Sequence, residues 1–203
     1  MTKRMWGRIG LAGMLVATAA LSGCVSSLFA GAPPETYDLA APAVTPQLKR
    51  SSSAQLLVPD PAALKILDSQ RIVVSDGQKV SYYPSAQWPD TLPRVVQART
   101  IEAFEKTGRT KAIGRPGDGL SIDYQILLEI RKFEFAVTPQ GRAAQIELSV
   151  RVMNDRTGKI VGQKTFDATV PVAQDSAPAA VAGLNAALEE VLVELVGWVS
   201  ARV

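Results

Sequence analysis

The sequence predicts an α+β domain of two layers, a mainly antiparallel sheet covered by two amphipathic helices. Three observations carry this. Between Ser121 and Val170, three successive stretches alternate apolar and polar residues with period two and are separated by turn residues. Arg71–Tyr83 holds two short apolar runs around an Asp-Gly pair. Past Pro93 and again past Pro178, apolar side chains recur at helical spacing.

In chain order, Tyr37-Asp38-Leu39 reads as a first short strand, and Ala40–Ser53, rich in Ala, Pro and Ser, as a loop. Leu56-Leu57-Val58 and Arg71-Ile72-Val73-Val74 are strand candidates. Ser75-Asp76-Gly77-Gln78 turns the chain, and Lys79–Tyr83 returns it as a hairpin. Asp90 or Thr91 can cap a helix that carries Pro93 in its first turn, where the missing N–H is harmless, and that stops near Gly108. Val95 or Val96, Ile101 and Phe104 supply its core-facing stripe. Gly114–Gly119 is glycine-rich, but no Lys-Ser/Thr follows and the next pattern is a strand, so it is a connection and not a phosphate loop.

The next fifty residues are the most regular. Tyr124, Ile126, Leu128 and Ile130 share one face. Phe133 and Phe135 fall out of phase with them, which predicts a bulge near Arg131-Lys132. Ile146, Leu148, Val150 and Val152 form the second alternating set. Phe166, Ala168 and Val170 form the third, so the three strands make an antiparallel meander. Asp175-Ser176 then cap a helix of about 25 residues, ~37 Å long, whose stripe runs from Val181 through Leu184, Leu188, Val191, Leu192 and Leu195 to Trp198.

The N-terminus has a different character. Lys3, Arg4 and Arg8 precede an uncharged apolar run from Ile9 to Leu21, the layout of a signal peptide. The run is short for a helix that must cross a ~30 Å hydrocarbon core. Leu21-Ser22-Gly23-Cys24 closes it and resembles the lipobox of bacterial lipoproteins. That resemblance implies cleavage before Cys24, S-diacylglycerol on its thiol and an N-acyl group on the freed amine. Several acyl chains anchor stably where a single one is marginal. Val25 follows, and by resemblance to sorted lipoproteins the lack of Asp there favours the outer membrane over retention at the inner one. The expected organisation is a signal peptide at 1–23, a lipidated tether at 24–35 and a folded domain at 36–203. The eleven residues of the tether beyond Cys24 reach at most ~40 Å.

Composition narrows the function. The three basic residues of the leader are removed with it, and the remaining 19 Lys and Arg balance the 19 Asp and Glu. Net charge therefore gives no support for nucleic-acid binding. There is no His, and Cys24 is the only Cys. The commonest general base, the commonest metal ligand and any second thiol are missing together. No G-x-S-x-G or Walker-type motif occurs, and Glu189-Glu190, Glu129 and Glu134 read as solvated faces. The expectation is a non-catalytic protein with no metal, no cofactor and no disulfide.

An ordered set of short motifs follows the lipobox. It comprises Tyr37-Asp38-Leu39, Arg71–Val74, Tyr82-Tyr83, Trp88–Pro93, Gln97, Ala103-Phe104-Glu105, Asp123–Leu127, Phe133-Glu134, Gly158–Val161, Phe166 and Trp198. In this order they resemble the ABC-type transport auxiliary lipoprotein family, the PqiC-type proteins. The resemblance covers nearly the whole mature chain and brings no catalytic residues with it. It implies work beside an MCE-type transporter, whose partners would be an MCE-domain protein and, indirectly, an inner-membrane permease and its ATPase. The cargo would be a phospholipid or another hydrophobic lipid. The competing expectations are a structural or assembly lipoprotein of the outer membrane that never contacts lipid and, third, an enzyme using only carboxylates or hydroxyls.

The candidate partner-binding residues are Tyr82, Tyr83, Trp88 and Arg94, at the junction before the first helix. Trp, Tyr and Arg are the side chains that concentrate binding energy at interfaces. The same aromatics could instead cap the sheet's core. Phe133 and Phe135 could flank a lipid groove or fill a small second core under the hairpin. The C-terminal helix could bind another subunit or pack on the sheet, and a homo-oligomer is compatible with so small a domain.

Overall fold

The computed structural model describes residues 33–43, 45–47 and 51–203. The expected signal peptide, the expected lipobox residues Leu21-Ser22-Gly23 and the lipidation candidate Cys24 lie outside the described residues. The strands are β1 (Glu35–Thr36), β2 (Ser52–Leu57), β3 (Ala62–Ala63), β4 (Arg71–Asp76), β5 (Lys79–Gln87), β6 (Thr110–Gly114), β7 (Tyr124–Thr138), β8 (Gly141–Asn154) and β9 (Ile160–Val172). The helices are α1 (Leu92–Lys106) and α2 (Ala177–Ser200).

β7 is the spine of the sheet. On one side β8 pairs with it antiparallel along its whole length, and β9 pairs with β8 in the same sense, giving the expected meander. On its other side three short strands follow one another in register, all parallel to it. β2 lies beside Tyr124-Gln125, β3 beside Glu129-Ile130 and β4 beside Glu134–Val137. β6 adds to β2, and β1 to β5, again in parallel. The sheet is thus mixed around an antiparallel half.

The bulge falls where the alternation broke. Ile130 faces Leu148 and Lys132 faces Glu147, so Arg131 is the extra residue. Its effect corrects the expected surroundings of Phe133 and Phe135. The inserted residue returns both rings to the face of Ile126, Leu128 and Ile130, opposite Ile146 and Ala144. They belong to the main core, with no second core under the hairpin. The β4–β5 hairpin turns at Gly77, whose φ of 58° suits a residue without Cβ.

Both helices lie on one face. α2 packs so closely on β8 and β9 that a Cβ on Gly183 would stand 2.6 Å from Val172 Cγ2 and 3.1 Å from Ala144 Cβ. Its Ser176 Oγ accepts the Ala179 N–H, and Pro178 sits in the first turn. α1 starts at Thr91 with no side-chain cap; Asp90 Oδ1 accepts the Thr91 N–H instead. The buried Gln97 of α1 donates to the Val58 carbonyl at 2.8 Å, which ties the helix to the end of β2.

Two expectations need correcting, and one strand had no reading in the sequence. The first short strand is Glu35–Thr36, at the tether's end, and not Tyr37–Leu39; only the Tyr37 N–H continues the pairing, to the Gln87 carbonyl. The stretch from Ala40, expected to be a loop as far as Ser53, gives way to β2 already at Ser52. Its first part is a strap bonded to both helices. Ala40 and Ala43 N–H donate to Asn185 Oδ1 and Glu189 Oε1 of α2, and Lys106 of α1 donates to the Ala41 and Pro42 carbonyls. Leu39 is buried in the core beneath it. Finally, β6 carried no sequence signal of its own; its partner β2 lies more than fifty residues away.

Candidate partner-binding site

The four residues proposed from the sequence do not form one surface. Trp88 is 1% exposed and meets Phe133 edge to face, with ring centroids 6.0 Å apart. It is a core residue and offers a partner nothing to touch. Tyr82 and Tyr83 are neighbours on β5 and so point to opposite faces of the sheet. Tyr83 lies with the helices: its ring meets Phe135 at 6.1 Å and its hydroxyl donates to Asp175 Oδ1 at 2.9 Å. Burial, and then the hydrogen bond to Asp175, push its pKa up to about 12. Asp175 also pairs with Arg142 at 3.7 Å, so Tyr83 joins β5, β8 and the start of α2. Tyr82 is half-buried, and the Arg71 guanidinium lies 4.8 Å from its ring centroid.

Arg94 is the member of the group that faces solvent, with its side chain 64% exposed and Asp90 at 3.8 Å. Such a pair contributes little by itself. Its position is informative, because it lines a crevice of about 720 Å³ with Asp60, Asp90, Arg99, Arg115 and Asp38. The chain enters this crevice on leaving β2 through Pro59-Asp60 and on leaving β6 through Arg115-Pro116, while α1 supplies Arg94 and Arg99.

Arg99 is the fixed part of the wall. Its Nη2 donates to Asp38 Oδ2 at 2.8 Å and its Nη1 to Glu102 Oε2 at 2.7 Å. Burial alone would lower its pKa; the bonds to Glu102 and Asp38 outweigh that and hold it above the usual range. The same contact with Arg99 holds the Glu102 carboxyl below its ordinary value. The Arg99 Nε–H is buried with no acceptor. Asp38 belongs to the Tyr37-Asp38-Leu39 motif and Arg115 to the glycine-rich connection, but no sequence signal marked either of them, or Asp60 or Arg99, as part of a site. The parallel pairing of β2 with β6 is what gathers them.

A second groove of about 800 Å³ lies by the start of β2, the start of β7 and the last turn of α2. Its lining includes the hydroxyl and amide groups of Ser52, Ser53, Asn154 and Ser200, with Asp123 and Arg156. Among the described residues no group of three His, Cys, Asp or Glu side chains could hold a metal ion. None of the described helices is long and apolar enough to cross a membrane.

Comparison with known proteins adds an independent line. A family model described as the ABC-type transport auxiliary lipoprotein component matches residues 37–196. The uncharacterized protein bll6063 of Bradyrhizobium diazoefficiens is 33% identical over 180 residues, 88% of this chain and 48% of that protein. The chain thus spans about half the length of this curated relative. Among solved structures, protein XCC0632 from Xanthomonas campestris superposes with a TM-score of 0.78 at 30% identity, covering 83% of this chain and 95% of that one. The hypothetical protein CT253 from Chlamydia trachomatis gives a TM-score of 0.53 at 10% identity, covering 74% and 98%, a likeness of fold alone.

Proposed function

This chain belongs to the family of ABC-type transport auxiliary lipoprotein components, and from that premise we propose that it is the non-catalytic, outer-membrane lipoprotein of an MCE-type ABC system that moves lipid between the two membranes. The observation that carries the proposal is the family match, which begins at Tyr37 and ends at Val196 near the close of α2, so that it takes in β2 to β9, all of α1 and most of α2. The sequence at the N-terminus supports the membrane side. A basic start, an apolar run and Leu21-Ser22-Gly23-Cys24 stand in the order that export and lipidation require.

On this reading Cys24 carries the acyl groups and the tether holds the folded domain at the periplasmic face of the outer membrane. The domain acts by surface. Its mature net charge is zero, so long-range attraction does not recruit the transporter, and shape and local contact must. The direct partner is the MCE-domain protein that bridges the periplasm; permease and ATPase are reached through it.

The test is crosslinking in intact cells, followed by affinity capture of the full lipoprotein and analysis of both the captured proteins and their lipid. Recovery of an MCE-domain protein with phospholipid is expected. Capture of an unrelated outer-membrane machine, without lipid, would replace this reading with a purely structural or assembly role.

A further inference from the structure

The crevice beside α1 has the position, size and chemistry of a ligand site. It opens beyond the C-terminal ends of β2 and β6, two parallel neighbours, and is walled on its other side by α1. Its volume of about 720 Å³ falls among small-molecule sites. Pro59, Pro89 and Pro116 stand in its walls and stiffen the three loops that form them.

Its charges are mixed and unevenly engaged. Among the described residues, the Arg115 guanidinium and the Asp60 carboxylate form no ion pair, and Arg94 is held only by Asp90 at 3.8 Å. Both Nη groups of Arg99 are engaged while its Nε–H has no acceptor, and one of its partners, Asp38, is itself 54% exposed at the edge. A phosphate presents the same pair of oxygens to a guanidinium as a carboxylate does and can take its place. A purely anionic ligand would meet Asp60 and Asp90 as well. A ligand bearing an ammonium group beside its phosphate satisfies both signs.

We propose that this crevice binds the head group of a zwitterionic phospholipid of the phosphoethanolamine type. Arg94 and Arg115 take the phosphodiester, Arg99 joins them by exchanging Asp38 for a phosphate oxygen, and Asp60 takes the ammonium. This rests on the lipid-transport reading and deepens it by naming the lipid class. Asp38 stands two residues before the strap that starts at Ala40, so ligand and Asp38 compete for Arg99 and each weakens the hold of the other.

The test uses the full lipoprotein in a maltoside detergent, titrated with three soluble probes: glycerophosphoethanolamine, glycerophosphoglycerol and inorganic phosphate. The first is expected to bind about tenfold tighter than the other two, and Arg94→Gln with Arg115→Gln to weaken it about tenfold, since a lost charged contact is of that order. Asp38→Asn is expected to tighten the probe several-fold, by removing the competing carboxylate, a response that a merely structural Arg99–Asp38 pair would not give. Far-UV circular dichroism checks that the variants fold. Equal binding of inorganic phosphate would mean a site for free phosphate and overturn the head-group assignment. No binding by the wild type or by Asp38→Asn, or weaker binding by the latter, would overturn the site. A chain that still captures its MCE partner while binding no probe would lose the crevice and keep the transport reading.

Discussion

Trp88 and Phe133 meet edge to face at 88°, with 6.0 Å between ring centroids, across the junction of β5 with α1 and the bulged half of β7. The contact joins the end of the hairpin to the spine of the sheet. Both rings are removed from solvent, so the energy of Trp88 is spent on folding. Trp88→Ala is expected to destabilise the domain by roughly 3–5 kcal/mol, as for other large aromatic truncations in a core. Urea denaturation of the variant measures this. A variant that melts as the wild type yet loses its transporter would show Trp88 acting at an interface.

Two glycines of α2 should respond in opposite directions. At Gly183 an added Cβ meets the stiff, branched Val172 at 2.6 Å, and Gly183→Ala should destabilise by about 1–3 kcal/mol through overpacking. At Gly197 the nearest atom is Pro46 Cβ at 3.7 Å, an ordinary contact. Gly197→Ala should therefore stabilise by about 0.5–1 kcal/mol, the helix-propensity gain. Equal and same-signed shifts in denaturation midpoint would contradict the close approach of α2 to β8 and β9.

Tyr83 makes the domain sensitive to alkali. Its pKa is raised from 10.0 to about 12 in the folded state, by burial first and by Asp175 second. The folded state therefore holds its proton more tightly than the unfolded chain does. The stabilisation is fully present below pH 10, falls as pH rises toward 12 and is gone above it. Tyr83→Phe should remove that part of the decline. Stability measured between pH 8 and 12 in both proteins checks it, and parallel curves would refute it.

Anchoring is tested at Cys24, the sole thiol of the chain. Cys24→Ala should leave an unlipidated precursor at the inner membrane and abolish function. Fractionation with the outer membrane together with complementation of a deletion would show that the Leu21–Cys24 motif is not the anchor signal.

What the sequence determined by itself is what depends on neighbours along the chain. Strand alternation from Tyr124 to Val170, the Asp76-Gly77 turn, and Pro93 and Ser176 at the helix starts are all local signals. They recovered the meander, the hairpin and both helices within a few residues. The resemblance of Leu21–Cys24 to a lipobox is a local signal too. The tertiary structure decided what depends on residues far apart. Parallel pairing of β2, β3 and β4 along β7 has no turn to announce it, and β6, with only Ile113 as a large apolar residue, owes its existence to β2. The bulge at Arg131 was legible as a break in phase. That it turns Phe133 and Phe135 back toward the helices, and so draws Trp88 into the core, is settled only by the register with β8. For the same reason the aromatic cluster of the sequence dispersed: alternation along β5 sends Tyr82 and Tyr83 to opposite faces. The crevice formed instead from Asp38, Asp60, Arg94, Arg99 and Arg115, which no spacing connects and which meet because two parallel strands end side by side.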